Sequence, residues 1–234
     1  MEGNETEGTE PPTDTPVESR AWIGYVVPMA AFMIITAVEG SLPKQYVWLY
    51  IAKAILVTVL LIAGRATWKR DVQWSLPMLL IGTVVGLVCF AGWVGIDPLT
   101  PHFKFLGTRT EYNPFKEIAD PSVRMLFLAV RFYGLALMVP VMEELFWRSF
   151  LLRWITDQDF EKLPVGTFSW GAFAIVAAGF GVSHPEWLVA ILFACAMALL
   201  LRQTKSLFAC IVAHGVTNLA LGIFVLVTHN WKYW

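Results

Sequence analysis

Three charged residues, Glu143, Glu144 and Arg148, lie inside one of the longest apolar runs of the chain. A charged side chain at the centre of a bilayer costs about 2.5–3.5 kcal/mol on insertion scales, so such residues usually have a function. Glu144 and Arg148 are spaced i,i+4 with the acid first, which is the favourable order for an ion pair within one helix. Glu143 projects about 100° away around the helix and has no local partner. It therefore needs a partner from another helix.

Two further pairs of polar or aromatic residues occur in apolar stretches with the same four-residue spacing. Phe180 and His184 share one helix face, and His214 and Asn218 share another. At a rise of 1.5 Å per residue, Glu143, His214 and Asn218 lie about 12–18 Å from the same end of their helices. His184 lies about 24 Å from the predicted start of its helix. Helix tilt reduces the difference in depth between His184 and the other three residues. We therefore expect the four polar residues to meet in one intramembrane chamber.

Such a group of side chains is suited to hydrolysis. A carboxylate beside an imidazole can hold a water molecule and deprotonate it. A second imidazole and an amide N–H can stabilise the oxyanion of a tetrahedral intermediate, each donor contributing about 3–4 kcal/mol. The sequence shows no serine–histidine pair at convincing spacing, and its three cysteines, all in apolar segments without CxxC spacing, are predicted to be packing residues.

The order of these residues along the chain resembles that of a known family. The motifs are Glu143-Glu144-xxx-Arg148, Phe180-xxx-His184 and His214-xxx-Asn218. They are similar to the motifs of the CAAX protease and bacteriocin-processing family, which comprises the eukaryotic type II CAAX prenyl endopeptidases and many bacterial relatives. The similarity covers about residues 123–228, and the short, tail-bearing form resembles the bacterial branch.

The resemblance implies an intramembrane endopeptidase that cuts near the C-terminus of a membrane-associated or lipid-anchored protein. It assigns roles to six side chains: Glu143 and His184 activate water, His214 and Asn218 stabilise the oxyanion, and Glu144 and Arg148 support the site. The expected partners are membrane lipid and a peptide or lipidated protein substrate. The expected location is a bacterial inner membrane.

Two alternatives remain open from the sequence. In the first, Glu143, His184 and His214 bind Zn²⁺, since catalytic zinc sites take such nitrogen and oxygen ligands. No HExxH motif is present, so we expect no cofactor and rank zinc second. In the second, the chain is a non-catalytic immunity or scaffold protein of the membrane. The intact polar residues favour catalysis over this reading.

Composition predicts an all-α, polytopic transmembrane helical bundle. Of the 234 residues, 57% are hydrophobic and 15% are charged, and the mean hydropathy is +0.60. Residues 1–20 are polar and acidic, so we expect a disordered tail followed by a single domain over residues 21–234. The net charge of −1 gives no basic surface for nucleic acid.

The apolar stretches predict seven membrane spans, or eight if residues 97–131 contain an additional span. Six of the predicted spans are Ala21–Val38, Tyr46–Ala63, Pro77–Gly95, Phe168–Ser183, Trp187–Leu201 and Leu207–Val227. The remaining apolar region, Val123–Ile155, is too long for one ordinary crossing and is interrupted by Pro140. For seven spans, the basic loops all fall at one end: Arg65/Lys69/Arg70, Arg153/Lys162 and Arg202/Lys205. The positive-inside rule places that end in the cytoplasm. We also expect the chamber to open there.

Overall fold

The computed structural model describes residues 20–107 and 111–233, and within those ranges the chain is helical without a strand. The main helices are α1 (Ile23–Ser41), α2 (Tyr46–Ala63), α3 (Leu76–Ile96), α4 (Pro121–Thr156), α5 (Trp170–Val182), α6 (Trp187–Thr204) and α7 (Leu207–Thr228). The predicted helical bundle is confirmed. The predicted tail, residues 1–20, lies outside the described residues except for Arg20.

Six of these helices are long and apolar enough to cross a membrane, so the chain is an integral, multi-pass membrane protein. The exception is α5, whose 13 residues rise only about 20 Å against a hydrocarbon core of about 30 Å. The described part of residues 97–120 contains only short helical turns and no eighth crossing.

Helix α4 runs without a break through 36 residues, whereas the sequence suggested that Pro140 interrupts it. Two stretches of it are π-helical, Gly134–Met138 and Leu145–Leu151. Pro140 is the second residue of the short α-helical stretch between them, which directly follows the first π-helical stretch. Such π-helical turns occur frequently at functional sites, and here they flank the two glutamates.

Helices α3 and α7 pack closely along their length because small residues line the contact. A Cβ atom on Gly82 would lie 2.7 Å from the carbonyl oxygen of Ala209, and one on Gly86 would lie 2.5 Å from that of Ala213. The Thr217 hydroxyl donates a hydrogen bond to the Gly86 carbonyl at 2.9 Å. These contacts fix α7, which carries His214 and Asn218, against the bundle.

The structure brings basic loops together at one end of the bundle, as predicted. Arg70, Lys162 and Lys205 line one surface cavity, together with Arg153. Arg153 forms an ion pair with Asp71 at 2.7 Å. The beginning of α1 lies at the same end, because the Tyr25 hydroxyl donates to Asp71 at 2.8 Å. We refer to this as the basic end.

Candidate active site

One cavity of about 470 Å³ is lined by Glu143, His184, His214 and Asn218. Glu143 comes from α4, His184 from the turn after α5, and the other two from α7. The expected meeting of these four side chains is therefore present in the fold. Their individual catalytic roles stay a prediction.

Glu143 lies at the wall of this cavity with 7% of its surface exposed. Its Oε2 atom has no hydrogen-bond partner and lies 4.0 Å from Nε2 of His214. A buried carboxylate oxygen normally accepts hydrogen bonds, so Oε2 keeps unused acceptor capacity beside the imidazole. The role of general base for Glu143 stays a prediction, and its position at the cavity wall beside an imidazole is compatible with that role.

The ion pair expected between Glu144 and Arg148 is present, and the structure gives Glu144 a second partner. The Arg148 Nη1 donates to Glu144 Oε1 at 3.0 Å, and both side chains are fully buried. Nδ1 of His214 lies 2.9 Å from the same oxygen. The adjacent glutamates therefore lie beside two different nitrogens of one imidazole ring.

The contact with Glu144 constrains the protonation of His214. A carboxylate only accepts hydrogen bonds, so Nδ1 carries a hydrogen and donates to Glu144. Nε2 then lies nearer Glu143, at 4.0 Å. The role of oxyanion donor requires a hydrogen on Nε2 as well, which makes the ring an imidazolium. Glu144 fixes the ring orientation in either form.

His184 lies directly beyond the end of α5 and is held by the preceding turn. Its Nδ1 is 2.9 Å from the Phe180 carbonyl oxygen and 3.0 Å from the Ser183 hydroxyl. The imidazole stacks on the Phe180 ring at a centroid distance of 4.5 Å. The Arg148 guanidinium lies 4.6 Å from the centre of the same ring. Phe180 thus connects the buried ion pair to His184 through stacking and cation–π contacts.

Two aromatic residues that the sequence analysis missed complete this arrangement. The Phe193 ring lies 4.9 Å from the His214 ring and 5.8 Å from the Phe180 ring. Trp93 lies 6.3 Å from the His184 ring. Both are apolar residues within apolar helices, and no local pattern distinguishes them from other packing residues.

Asn218 is positioned by a π-helical turn of α4. Its Nδ2 donates to the carbonyl oxygen of Leu135 at 3.2 Å, within Gly134–Met138. The helices approach closely here because a Cβ on Gly215 would lie 2.5 Å from the Ala136 carbonyl oxygen. One hydrogen of the Asn218 amide is therefore engaged, and the second is left to act as a donor.

The predicted opening at the basic end is wrong. The cavity extends from Glu143 to residues at the opposite end of the bundle: Gly40, Pro43, Tyr46, Tyr112 and Tyr233. None of its lining residues comes from the basic loops. The prediction measured the depth of the site residues only from the basic end, although these residues are about as close to the opposite end of the bundle. Asn218 is only about 15 Å of helix from Thr228, and His184 already lies at the end of α5.

Three metal-ligating side chains do not converge anywhere in residues 20–107 and 111–233. The zinc alternative needs Glu143, His184 and His214 to come together as ligands, and the geometry does not provide that arrangement. Whether the reaction depends on a metal stays a prediction and is tested below.

Comparison with known proteins agrees with the motifs. A family model described as type II CAAX prenyl endopeptidase Rce1-like matches residues 125–220, a range that contains all six predicted site residues. The predicted resemblance is confirmed over this range, and at the level of the family it supports a CAAX-type intramembrane protease. No curated protein and no solved structure matches the chain.

Proposed function

We propose that this membrane protein, whose residues 125–220 match the type II CAAX prenyl endopeptidase family, hydrolyses a peptide bond near the C-terminus of a membrane-tethered protein. The observation that carries the proposal is the unpartnered Oε2 of Glu143, which lies beside His214 in a cavity also lined by His184 and Asn218. This arrangement places a carboxylate that can act as a base, two imidazole rings and an amide donor around one cavity.

The proposed reaction needs no covalent intermediate with the enzyme. Glu143, assisted by His184, takes a proton from a bound water, and the resulting hydroxide attacks the carbonyl carbon of the substrate. The oxyanion accepts hydrogen bonds from Asn218 and His214. The tetrahedral intermediate collapses as Glu143 returns the proton to the leaving amine. Water is consumed, and a new carboxylate and a new amine are formed.

The orientation of the cavity bears on the class of substrate. If the chain lies in a bacterial inner membrane with its basic end in the cytoplasm, the cavity opens towards the outside. We therefore propose an exported substrate that is anchored by a lipid or a membrane span, with its C-terminal segment extending into the cavity. A narrow cavity between helices accepts an extended segment more readily than a folded domain.

The direct test is a proteome-wide map of protein C-termini in cells that express the protein and in matched cells that lack it. We expect new C-termini, in membrane-associated proteins, only when the protein is present. Identical maps from the two cell lines would contradict hydrolysis and would favour the non-catalytic immunity or scaffold reading.

Metal dependence is tested separately. Purified protein should keep its activity in millimolar EDTA or 1,10-phenanthroline, because we assign water activation to Glu143 and His184. The measurement is the hydrolysis rate before and after chelation, together with the metal content of the protein. Stoichiometric zinc, with activity lost on its removal and restored on its return, would replace this mechanism with the zinc alternative.

A further inference from the structure

The surface cavity at the basic end shares no lining residue with the candidate active site and has a volume of about 580 Å³. This volume lies within the range of about 300–1,000 Å³ that is usual for pockets that bind small ligands. Three connecting segments form its walls: the loop between α2 and α3, the loop between α4 and α5, and the turn between α6 and α7. We call it the basic cavity. The proposed reaction uses none of its residues, so its charges require a separate explanation.

Positive charge exceeds negative charge in the segments that form the basic cavity. Residues 64–75, 153–169 and 202–206 together carry seven Lys and Arg residues and four Asp and Glu residues. Of these, four cations and two carboxylates line the cavity itself: Arg70, Arg153, Lys162, Lys205, Asp71 and Glu161. The excess of cations, counted with every carboxylate of these segments included, favours an anionic ligand.

Two of the lining cations keep hydrogen-bond donors for such a ligand. The Arg70 side chain is exposed and makes no ion pair or hydrogen bond with the part of the chain that the structure describes. Lys205 Nζ donates to the Gly166 carbonyl oxygen at 2.6 Å, which leaves two of its three hydrogens. The other two lining cations have carboxylate partners, because Arg153 pairs with Asp71 and Lys162 pairs with Asp159. Arg70 and Lys205 are therefore the expected anion donors.

The basic cavity lies at the level of the lipid headgroups. Three exposed tryptophans surround this end of the bundle, where α3 and α5 begin and α4 ends: Trp74, Trp154 and Trp170. Tryptophan is enriched at the interface between a membrane and water, so these side chains indicate where the headgroups lie. Part of the cavity wall is apolar and includes Met78 and Val165. Cations beside an apolar wall at this depth suit a phospholipid, whose phosphate adjoins its apolar chains.

We propose that the basic cavity binds the phosphate group of an anionic phospholipid, with Arg70 and Lys205 as its donors. Basic pockets between membrane helices bind the head groups of such lipids. A zwitterionic lipid carries an ammonium group beside its phosphate, and the excess of cations in the loops disfavours that group. The cavity wall includes Arg153 at the end of α4 and Ser206, which caps the beginning of α7. A bound lipid therefore contacts both helices and should stabilise the bundle.

The test measures lipid binding directly and does not depend on hydrolysis. Purified full-length protein in neutral detergent micelles is titrated with phosphatidylglycerol or with phosphatidylcholine that has the same acyl chains. Native mass spectrometry counts the bound lipids, and thermal unfolding gives the Tm. We expect phosphatidylglycerol to bind about five to thirty times more tightly than phosphatidylcholine and to raise the Tm. Equal affinity for the two lipids would overturn the proposal.

Arg70→Gln/Lys205→Gln should lower the affinity for phosphatidylglycerol about thirtyfold, because each basic residue near a membrane surface contributes about fivefold. Arg65→Gln/Lys69→Gln is the matched control, since it removes two charges from the loop that carries Arg70, at positions that do not line the cavity. An equal loss in both variants would indicate diffuse attraction and overturn the site. Lys205 has a positive φ of 55°, so Arg70→Gln alone, with an expected fivefold loss, avoids any change in that turn.

Two other occupants would give different results. If inorganic phosphate raises the Tm of the wild type as much as phosphatidylglycerol does and no lipid binds, the ligand is a free phosphate and the proposal fails. Residues 1–19 carry six carboxylates and precede α1, which begins at the basic end. If only a full-length variant with these six carboxylates replaced by amides prefers phosphatidylglycerol, that segment occupies the cavity and the proposal also fails. The same preference in the wild type and in this variant would support the lipid site.

Discussion

Glu143→Gln is expected to reduce the hydrolysis rate by about a hundredfold to ten-thousandfold while the protein still folds. The amide is nearly the same size as the carboxylate but cannot accept the proton of the attacking water, and general base catalysis contributes about 10²–10⁴-fold. The substitution also removes a buried charge whose Oε2 has no partner, so it should not destabilise the helix packing. The measurements are kcat on a cleaved peptide and the thermal unfolding of the purified variant.

Glu144→Gln is the matched control, because it makes the same chemical change one residue later. Glu144 pairs with Arg148 and His214, so its neutralisation should lower stability as well as activity. Wild-type turnover by a well-folded Glu143→Gln protein would show that another residue activates the water, and the assigned mechanism would be abandoned.

Arg148→Ala is expected to cost about 3–5 kcal/mol of folding free energy, because it leaves Glu144 as a buried charge without its cation. Domains are commonly stable by only about 5–15 kcal/mol, so the folded yield should fall sharply. The change also removes the guanidinium that lies over the Phe180 ring. Folded yield in the membrane and unfolding of the purified variant measure the effect.

The double variant Glu144→Gln/Arg148→Met distinguishes a structural ion pair from a catalytic one. It removes both charges and largely keeps the volume, and such replacements of buried pairs are often close to neutral. The amide oxygen of the glutamine that replaces Glu144 would still be able to accept from His214. Recovery of folded yield is expected. If Arg148→Ala folds normally and only turnover falls, Arg148 acts in the active site itself.

The sequence determined those features that depend on local spacing and on solvent preference. Long apolar stretches predicted the crossing helices, and α2 begins and ends at the predicted residues. The ion pair between Glu144 and Arg148 was predictable because i,i+4 neighbours on a helix are adjacent whatever the fold. The order and spacing of the polar residues indicated the family, and hydropathy placed those residues within the membrane.

The remaining features depend on how the helices pack, which local spacing does not encode. The contact of Glu144 with His214 joins residues 70 positions apart, and it exists because α7 approaches α4 at Gly215. The cavity wall likewise brings together Glu39 of α1, Lys53 of α2 and Arg131 of α4, which are far apart in the sequence. The end at which the cavity opens was likewise predicted wrongly. The position of a residue along a helix gives its distance from the two helix ends. Only the packing of the helices shows at which of these ends the cavity opens.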